Sequence, residues 1–225
     1  MFRYETHLHT FPVSKCAKAE VLENLEFYKN MGYDGVFITN HFLDGNINIS
    51  PDLPYEKRLD FYFSDFDEAV KIGKEIGLKV FSGIEISYKG TDFLIYGLSR
   101  EWYYENPQIV NIKKTEELEL MMENGALVIQ AHPFREAAYI NHIRLFPRCI
   151  HGTEVINASC RELENRMAKL YAENYDLIEV AGSDNHDGKF RKKLAGVSFD
   201  TPLKTEKDFV QRIKNKDFSV FEIEL

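Results

Sequence analysis

Cysteine is scarce in this sequence, and its scarcity limits the kinds of structure that the chain can form. The three cysteines, Cys16, Cys149 and Cys160, follow no regular spacing. They provide neither a framework of disulfides nor a cysteine-rich zinc site. This usage fits a reducing compartment, and we expect the protein to be cytoplasmic.

Basic charge and long apolar segments are also lacking. Lysine and arginine together number 28 against 36 acidic residues, so the formal net charge is -8. Nucleic-acid-binding surfaces are usually basic, so this balance disfavours a large polyanion but permits a small phosphorylated substrate held by a few cations. No apolar run is long enough to span a bilayer, and the first residues contain no signal-peptide core. We therefore expect no membrane association.

Short apolar strands alternate with amphipathic helices along the chain. The first strand is FRYETHL, and helices such as AEVLENLEFYKNMG and DFDEAVKIGKEIG end at glycine. Repeated β–α units predict parallel strands with helices outside. About seven such strands favour one domain over 1–225 with an irregular α/β barrel, since an eightfold barrel usually needs about 250 residues. An open doubly wound sheet is the alternative, but no G-x-G-x-x-G follows the first strand.

Residues that can bind metals stand at the ends of the predicted strands. His7 and His9 end the first strand, and because side chains at i and i+2 share a face, they can offer two imidazole nitrogens to one cation. Other strands end in further ligand types, namely His41, Glu85, His132, and Asp184 with His186. The C-terminal ends of barrel strands meet at one mouth, so these residues are expected to converge there.

Each of these residues also has an ordinary structural explanation. His41 could be hydrogen-bonded to a loop, Glu85 could pair with a buried arginine, and His132 could simply end a strand. Asp184 lies in DNHDG, which is rich in turn-forming residues. The ordinary explanations would all have to apply at the same end of the barrel, so the joint pattern favours a metal centre.

The ordered motifs HLH, ITNH, GIE, AHP and GSDNH resemble those of the PHP (polymerase and histidinol phosphatase) superfamily, from the N-terminus to about residue 190. The resemblance implies a distorted (β/α)7 barrel that hydrolyses phosphate esters. It also implies two to three divalent ions (zinc, manganese or iron) at the C-terminal mouth of the strands. The implied ligands of the first metal are His7, His9, Glu85 and Asp184. Glu85 would bridge to a second metal bound by His132, and His41 and His186 would belong to a third.

Two positions depart from the family pattern. In the strand after the bridging glutamate the family often has a histidine, whereas DFLIYG places Asp92 there. Asp92 could still bind a metal, favouring a harder ion such as manganese or iron, or it could be a solvated turn residue. Where the family often offers a His or Asp to the third metal, this chain has Lys15 and Cys16. Lys15 could hold a phosphate as a point charge, and Cys16 could bind as a thiolate or open the next helix.

In the implied mechanism two neighbouring metals would polarise a bridging water into a hydroxide, which would attack phosphorus in line with the ester oxygen. Glu85 would bridge the metals, and His186 would steady the leaving group if it held no metal. Arg135 and Arg161 are candidates for binding the remaining phosphate oxygens, although either could form a surface salt bridge instead. Asn157 could orient a ligand or cap the helix that follows it.

The leading prediction is a phosphomonoesterase of the histidinol-phosphatase kind that acts on a small molecule. The nearest alternative is a phosphodiesterase or exonuclease acting on nucleotides or nucleic acid, which the acidic balance disfavours. An amidohydrolase also uses His-x-His, but the extra histidine in IEVAGSDNH fits that class less well. A catalytically inactive, metal-stabilised binding module is a further alternative. The insertion over 42–60 is expected to overhang the mouth and to limit substrate size.

Overall fold

A nine-stranded mixed sheet forms the centre of the structure, a computed structural model that describes residues 1–225. The strands are β1 (Phe2–Leu8), β2 (Gly35–Ile38), β3 (Lys79–Tyr88), β4 (Thr91–Tyr96), β5 (Leu127–Ala131), β6 (Gly152–Asn157), β7 (Ile178–Gly182), β8 (Lys193–Phe199) and β9 (Ser219–Glu224). Their order in the sheet is β7-β6-β5-β4-β3-β2-β1-β8-β9. The segment after β7 returns to β1, where His9 N donates to Asn185 O at 3.1 Å and Asn185 N to His7 O at 3.3 Å. The sheet is therefore a nearly closed barrel, which confirms the predicted fold class.

Helices lie around this barrel and across its base. They are α1 (Val21–Asn30), α2 (Tyr55–Tyr62), α3 (Ser64–Ile76), α4 (Arg100–Glu105), α5 (Lys114–Glu123), α6 (Glu162–Tyr175) and α7 (Glu206–Lys214). The sequence pattern predicts α1, α3, α5, α6 and α7. It misses α2, which follows Pro54 inside the polar insertion, and the six-residue α4. No helix has the length and apolar character needed to cross a bilayer.

The expectation of parallel strands throughout is wrong at β4, which runs antiparallel to both β3 and β5. Only Lys89 and Gly90 join β3 to β4, and both have positive φ, 52° and 81°. Such a two-residue turn makes a tight hairpin, whereas a parallel connection would need a dozen or more residues. As a consequence Asp92, near the start of β4, lies at the same edge as the end of β3. Strands β8 and β9 also run antiparallel to their neighbours.

The barrel interior opposite the strand ends is filled with aromatic side chains. Phe37 packs on Phe81 with ring centroids 4.9 Å apart, and Phe209 of α7 packs on Phe37 at 4.3 Å. Tyr4 and Tyr96 belong to the same fully buried cluster. Because α7 and these rings close one end of the barrel, the polar strand ends are left as the accessible mouth.

His151 directly precedes β6 and lies away from that mouth. Its titration makes the free energy of unfolding depend on pH. Its Nδ1 accepts a hydrogen bond from Val128 N at 3.1 Å, which requires the neutral ring. Burial, helped by the charge of Lys214, lowers the pKa of His151 to about 4. The unfolded chain therefore binds more protons than the folded chain between about pH 6.5 and 4, so stability is lost as the pH falls through this window.

We expect His151→Gln, which keeps an acceptor but cannot titrate, to flatten this part of the stability curve. The expected difference between wild type and variant is about 1–2 kcal/mol between pH 7 and pH 4.5, reduced from the full linkage value because the ring is partly exposed. Urea unfolding at both pH values measures it. Parallel pH dependence of the two proteins would contradict the assignment.

Candidate metal centre

His7 has a hydrogen-bond partner for one ring nitrogen and carboxylates around the other. Its Nδ1 lies 2.9 Å from Oε1 of Glu154 on β6, and because a carboxylate only accepts, Nδ1 carries a proton. Its Nε2 lies 3.1 Å from Oε1 of Glu85 and 3.5 Å from Oδ1 of Asp184. Gly182 permits this packing, since a Cβ there would come within 2.7 Å of both Glu154 Oε1 and His7 Cβ. Burial lowers the pKa of His7, but the carboxylate charges outweigh it and hold the pKa well above its usual value, so this position attracts positive charge.

His9 is oriented by hydrogen bonds that begin at the backbone. Thr10 N donates to Oδ1 of Asn40 at 2.7 Å, which fixes the orientation of that amide. The hydroxyl of Ser14 donates its single proton to the same oxygen at 2.8 Å. Nδ1 of His9, 3.0 Å from Ser14 Oγ, must therefore be the donor in their hydrogen bond. Its Nε2 is left without a proton and faces two carboxylate oxygens, each at 3.4 Å.

Glu85 on β3 is the central carboxylate of the cluster. Four imidazole nitrogens lie around its two oxygens, from His41 at 2.7 Å, His7 at 3.1 Å, and His9 and His132 at 3.4 Å. Burial raises the pKa of Glu85, but positive charge on His41 and His7 outweighs burial and holds it well below the usual value. An ionised carboxylate in this position can face two cations at once and offset their mutual repulsion.

Two loop residues complete the inner part of the cluster. His132 follows β5 directly and Asp184 follows β7, and both have positive φ, 26° and 51°. This conformation is costly for a residue with a Cβ and is concentrated at functional sites. The guanidinium of Arg135 hydrogen-bonds Oδ2 of Asp184. Although burial raises the pKa of Asp184, the charges of Arg135 and His7 hold it well below its usual value, so it remains an ionised ligand candidate.

His41 and His186 form an outer group with His9. The ring centroid of His9 lies 4.1 Å from that of His186 and 4.4 Å from that of His41. Ligand nitrogens of the three rings lie within 4.8 Å of one another. The structure therefore brings His9 into this outer group as well as the inner one, whereas the family resemblance assigns it to the first metal alone.

The donor atoms of the cluster fit divalent cations. Three groups have ligand atoms within 4.8 Å of one another: His7, His9 and Asp184; His7, Glu85 and His132; and His9, His41 and His186. Both oxygens of Glu85 and Oδ1 of Asp184 are buried without a hydrogen-bond partner. A buried acceptor oxygen that receives no hydrogen bond is costly, and cations among these atoms would relieve that cost. Imidazole with carboxylate suits zinc, iron or manganese.

Asp92 lies beside the inner group. Its Oδ2 is 4.0 Å from Nε2 of His132, and its Oδ1 accepts a hydrogen bond from Ser87 Oγ at 2.6 Å. Burial and the nearby charge of Glu85 raise the pKa of Asp92. Its position beside His132, where the side chain is only 15% exposed, differs from that of a solvated turn residue, and its role as a metal ligand stays a prediction.

The two predicted phosphate-binding arginines occupy different surroundings. Arg135 faces the cluster through Asp184 and is 19% exposed, with a second contact to Asn157 Oδ1 at 3.5 Å. Arg161 is 63% exposed and pairs with Glu136 and Glu164. The structure therefore brings Arg135 to the cluster and leaves Arg161 outside it, at the start of α6.

A cavity of about 590 Å³ opens directly onto the metal-capable residues. Asp44, Gly45 and Asn46, from the predicted overhanging insertion, form part of its wall. Only two of its 15 lining residues are hydrophobic, and Lys89 and Arg135 are its cations. Cys16 lines this cavity and Lys15 does not. The lining also contains the carboxylates of Asp44, Glu85, Asp92 and Asp184, so the site suits a polar ligand whose negative charge would face Lys89, Arg135 or bound cations.

Sequence reasoning missed the residues that orient the histidines. Glu154 accepts from His7, while Ser14 and Asn40 determine the protonation of His9. A glutamate inside the apolar strand GTEVIN was an available signal, because a fully buried charge needs a partner. No comparable signal marks Ser14, whose role depends on a contact with Asn40 from another strand end.

Fold and site together define a class, α/β barrels with a metal-capable centre at the mouth of the strands. No family model matches this sequence, and no curated protein matches it either. Among solved structures, a two-domain protein from Bacteroides vulgatus ATCC 8482 containing a predicted PHP-like metal-dependent phosphoesterase has a TM-score of 0.72 and 15% identity. The match covers 98% of this chain but 64% of that protein, so this chain spans less than two thirds of its length.

Two further structures share the fold. PsfC from Pseudomonas syringae PB-5123 matches with a TM-score of 0.60 and 13% identity, over 100% of this chain and 93% of PsfC. A protein from Bifidobacterium adolescentis ATCC 15703, assigned as a metal-dependent phosphoesterase, matches with a TM-score of 0.54 and 14% identity. The match covers 92% of this chain and 94% of that protein. These likenesses show that the chain shares its fold with these three structures, among them the protein with the PHP-like domain.

Proposed function

We propose that this protein is a metal-dependent phosphoesterase that hydrolyses a small phosphate monoester. The observation that carries the proposal is the convergence of the ligand atoms of His7, His9, Glu85, His132 and Asp184 at the mouth of the barrel. The shared fold with structures named as metal-dependent phosphoesterases supports it. Bound divalent ions would polarise a phosphoryl oxygen and lower the pKa of an attacking water.

The protein's own side chains would position the ester and handle its protons. Arg135 lies next to Asp184 and lines the cavity, where its guanidinium can hold phosphate oxygens. His186 is 21% exposed at the same mouth. Burial lowers its pKa, but the charge of Asp184 outweighs burial and raises it, which favours the protonated form that a ring without metal would need to donate to the leaving oxygen.

The cavity favours a small monoester over a polymer. Its wall includes the insertion residues Asp44–Asn46 together with Lys89 and Gly90 of the adjoining hairpin turn. A long polyanion would need a row of cations to neutralise successive phosphates, whereas Lys89 and Arg135 are the cations of this cavity.

Metal analysis combined with two model substrates tests the proposal. We expect the purified wild type to bind two or three divalent ions per chain and to hydrolyse p-nitrophenyl phosphate faster than bis-p-nitrophenyl phosphate. His9→Ala should lose metal and turnover, and His142→Ala, an exposed histidine outside the cluster, should retain both. Preference for the diester would instead favour a phosphodiesterase. A folded protein that binds metal but hydrolyses neither ester would indicate a binding module.

The contrast between the two arginines gives a second prediction. Arg135→Ala should lower kcat/KM for p-nitrophenyl phosphate by about 10²-fold, the size of effect seen when one charge-stabilising donor is removed. Arg161→Ala should change it by less than about threefold, because an exposed ion pair contributes about 0–1 kcal/mol. Equal losses in both variants would show that substrate reaches Arg161 as well.

A further inference from the structure

We propose that Lys114 and Glu117 of α5 are positioning residues for the metal centre. They act through Asp44 and Ser87, which together hold the carboxylate of Asp92 beside the inner group of candidate ligands. The proposal rests on the proposed function only in requiring that this inner group binds metal. It assigns a role to a buried ion pair that lies outside the ligand cluster.

Lys114 is a buried lysine with two carboxylate partners. Its side chain is 8% exposed, and its Nζ lies 2.6 Å from Oδ2 of Asp44 and 2.6 Å from Oε2 of Glu117. Burial lowers the pKa of Lys114, but the charges of the two carboxylates outweigh burial and raise it, so the ammonium stays charged. An ion pair this deeply buried contributes little net stability, because desolvation offsets the attraction. What the pair does provide is a fixed position for Asp44, which belongs to the insertion over 42–60.

Asp44 continues the pairing of β3 beyond the end of β2. Past that end, Phe42 N donates to Glu85 O at 2.7 Å. Ser87 lies two residues further along β3, and its N donates to Oδ1 of Asp44 at 3.1 Å. Gly45 allows this loop to lie close to the strand, because a Cβ there would lie 3.0 Å from Ser87 Oγ. Whatever fixes Asp44 therefore fixes this end of β3 as well.

Ser87 in turn orients Asp92 on β4. The two residues are paired across the hairpin of β3 and β4, and Ser87 Oγ donates to Oδ1 of Asp92 at 2.6 Å. Oδ2 of the same carboxylate lies 4.0 Å from Nε2 of His132. Asp44, Ser87 and Asp92 all line the cavity of the metal centre. A continuous series of polar contacts therefore connects α5 to a candidate metal ligand.

Calorimetric titration of the metal-free full chain with manganese and with zinc tests the proposal without relying on activity. Lys114→Met/Glu117→Leu replaces the buried pair by apolar side chains, a change that often leaves stability unaltered. Burial raises the pKa of Glu117 to about 7, so at pH 8 both wild-type groups are charged and the double substitution preserves the net charge. We expect one metal equivalent to bind about 10-fold more weakly, the lower end of the range for loss of a residue that supports a ligand. Lys113→Met/Glu116→Leu, the same change in an exposed pair of α5 and the residue before it, should bind as wild type.

A thermodynamic cycle with Ser87→Ala shows whether the effect acts through these contacts. Ser87→Ala removes only the donor to Asp92 and should weaken the same metal equivalent by about 10-fold. If the residues act in series, combining the substitutions should weaken binding no further, whereas independent effects would multiply to about 100-fold. Urea unfolding of the metal-free proteins checks that each variant is folded. Asp44→Ala breaks the series within the loop, and it should give the same loss if the double variant of α5 does not fold.

The outcomes separate this proposal from the proposed function. Wild-type affinity in Ser87→Ala or in the folded variants that release Asp44, or losses that multiply when combined, would overturn the positioning role and leave the phosphoesterase proposal intact. Folded wild-type protein that binds neither manganese nor zinc would overturn both. Weaker binding of one equivalent in each variant, with no further loss in combination, would establish the positioning role.

Discussion

Glu85→Gln should remove at least one bound metal ion per chain and lower phosphatase turnover by more than about 10²-fold. Loss of a residue that merely supports a ligand already costs about 10–100-fold in affinity or activity, and Glu85 touches four histidines directly. The substitution preserves shape but replaces one charged oxygen with an NH₂ group. The nitrogen of that group has no lone pair available to a cation, so the side chain of the variant cannot bind a cation on each side of the cluster.

The metal dependence of thermal stability separates this effect from misfolding. A ligand that binds only the folded state stabilises it by RT ln(1 + [L]/Kd), so at a given metal concentration tighter binding raises Tm further. Zinc or manganese should therefore stabilise the wild type much more than Glu85→Gln, while the metal-free proteins both unfold cooperatively. Glu123→Gln, on the exposed surface of α5, should behave as wild type. Unchanged metal content in Glu85→Gln would refute the central role of this carboxylate.

Local sequence patterns were sufficient to predict the main strands and to predict which candidate ligands meet at the mouth of the barrel. The convergence of His7, Glu85 and Asp184 could be predicted because each lies within a few residues of the C-terminal end of a strand, although β3 continues past Glu85 to Tyr88. A barrel brings such strand ends together whatever the details of packing. The DFLIYG motif alone was enough to predict that Asp92 lies near these residues. Its position at the mouth depends on the tight turn at Lys89 and Gly90, which reverses β4.

The parts that sequence reasoning missed depend on contacts between distant segments. Whether Arg161 or Arg135 faces the cluster is decided by Glu136 and Glu164, which hold Arg161 at the surface. Helix α2 follows Pro54 within a polar segment, where the apolar periodicity that signals a helix is weak. The role of Glu154 requires β6, β7 and β1 to lie side by side, an arrangement that only the closed barrel provides.

Glu154→Gln should be the most damaging substitution among residues that touch no metal position directly. Oε1 of Glu154 accepts from His7 Nδ1 at 2.9 Å, while Oε2 accepts from His132 N at 3.0 Å and from Asn157 Nδ2 at 2.8 Å. All three partners are donors, so both oxygens must be acceptors. A glutamine offers one oxygen and one NH₂ group and cannot satisfy both sides.

Either orientation of the new amide damages the centre. If the NH₂ group faces His132 N and Asn157, two donors are left buried without acceptors, at a cost of about 1–3 kcal/mol each. If it faces His7, Nδ1 must give up its proton to accept a hydrogen bond from the amide, so the neutral ring carries its proton on Nε2 instead. A protonated Nε2 is no metal ligand, so the variant should lose about 10–100-fold in metal affinity in this orientation.

Calorimetric metal titration and unfolding by urea distinguish these two orientations. Weaker metal binding with little change in the stability of the metal-free protein would identify the altered His7, whereas lower stability of the metal-free protein would identify the unpaired donors. Glu173→Gln, on the exposed surface of α6, is the matched control and should change neither measurement. Wild-type affinity and wild-type stability together in Glu154→Gln would mean that His7 does not depend on this carboxylate, and its orientation would then have to come from Glu85 and Asp184 alone.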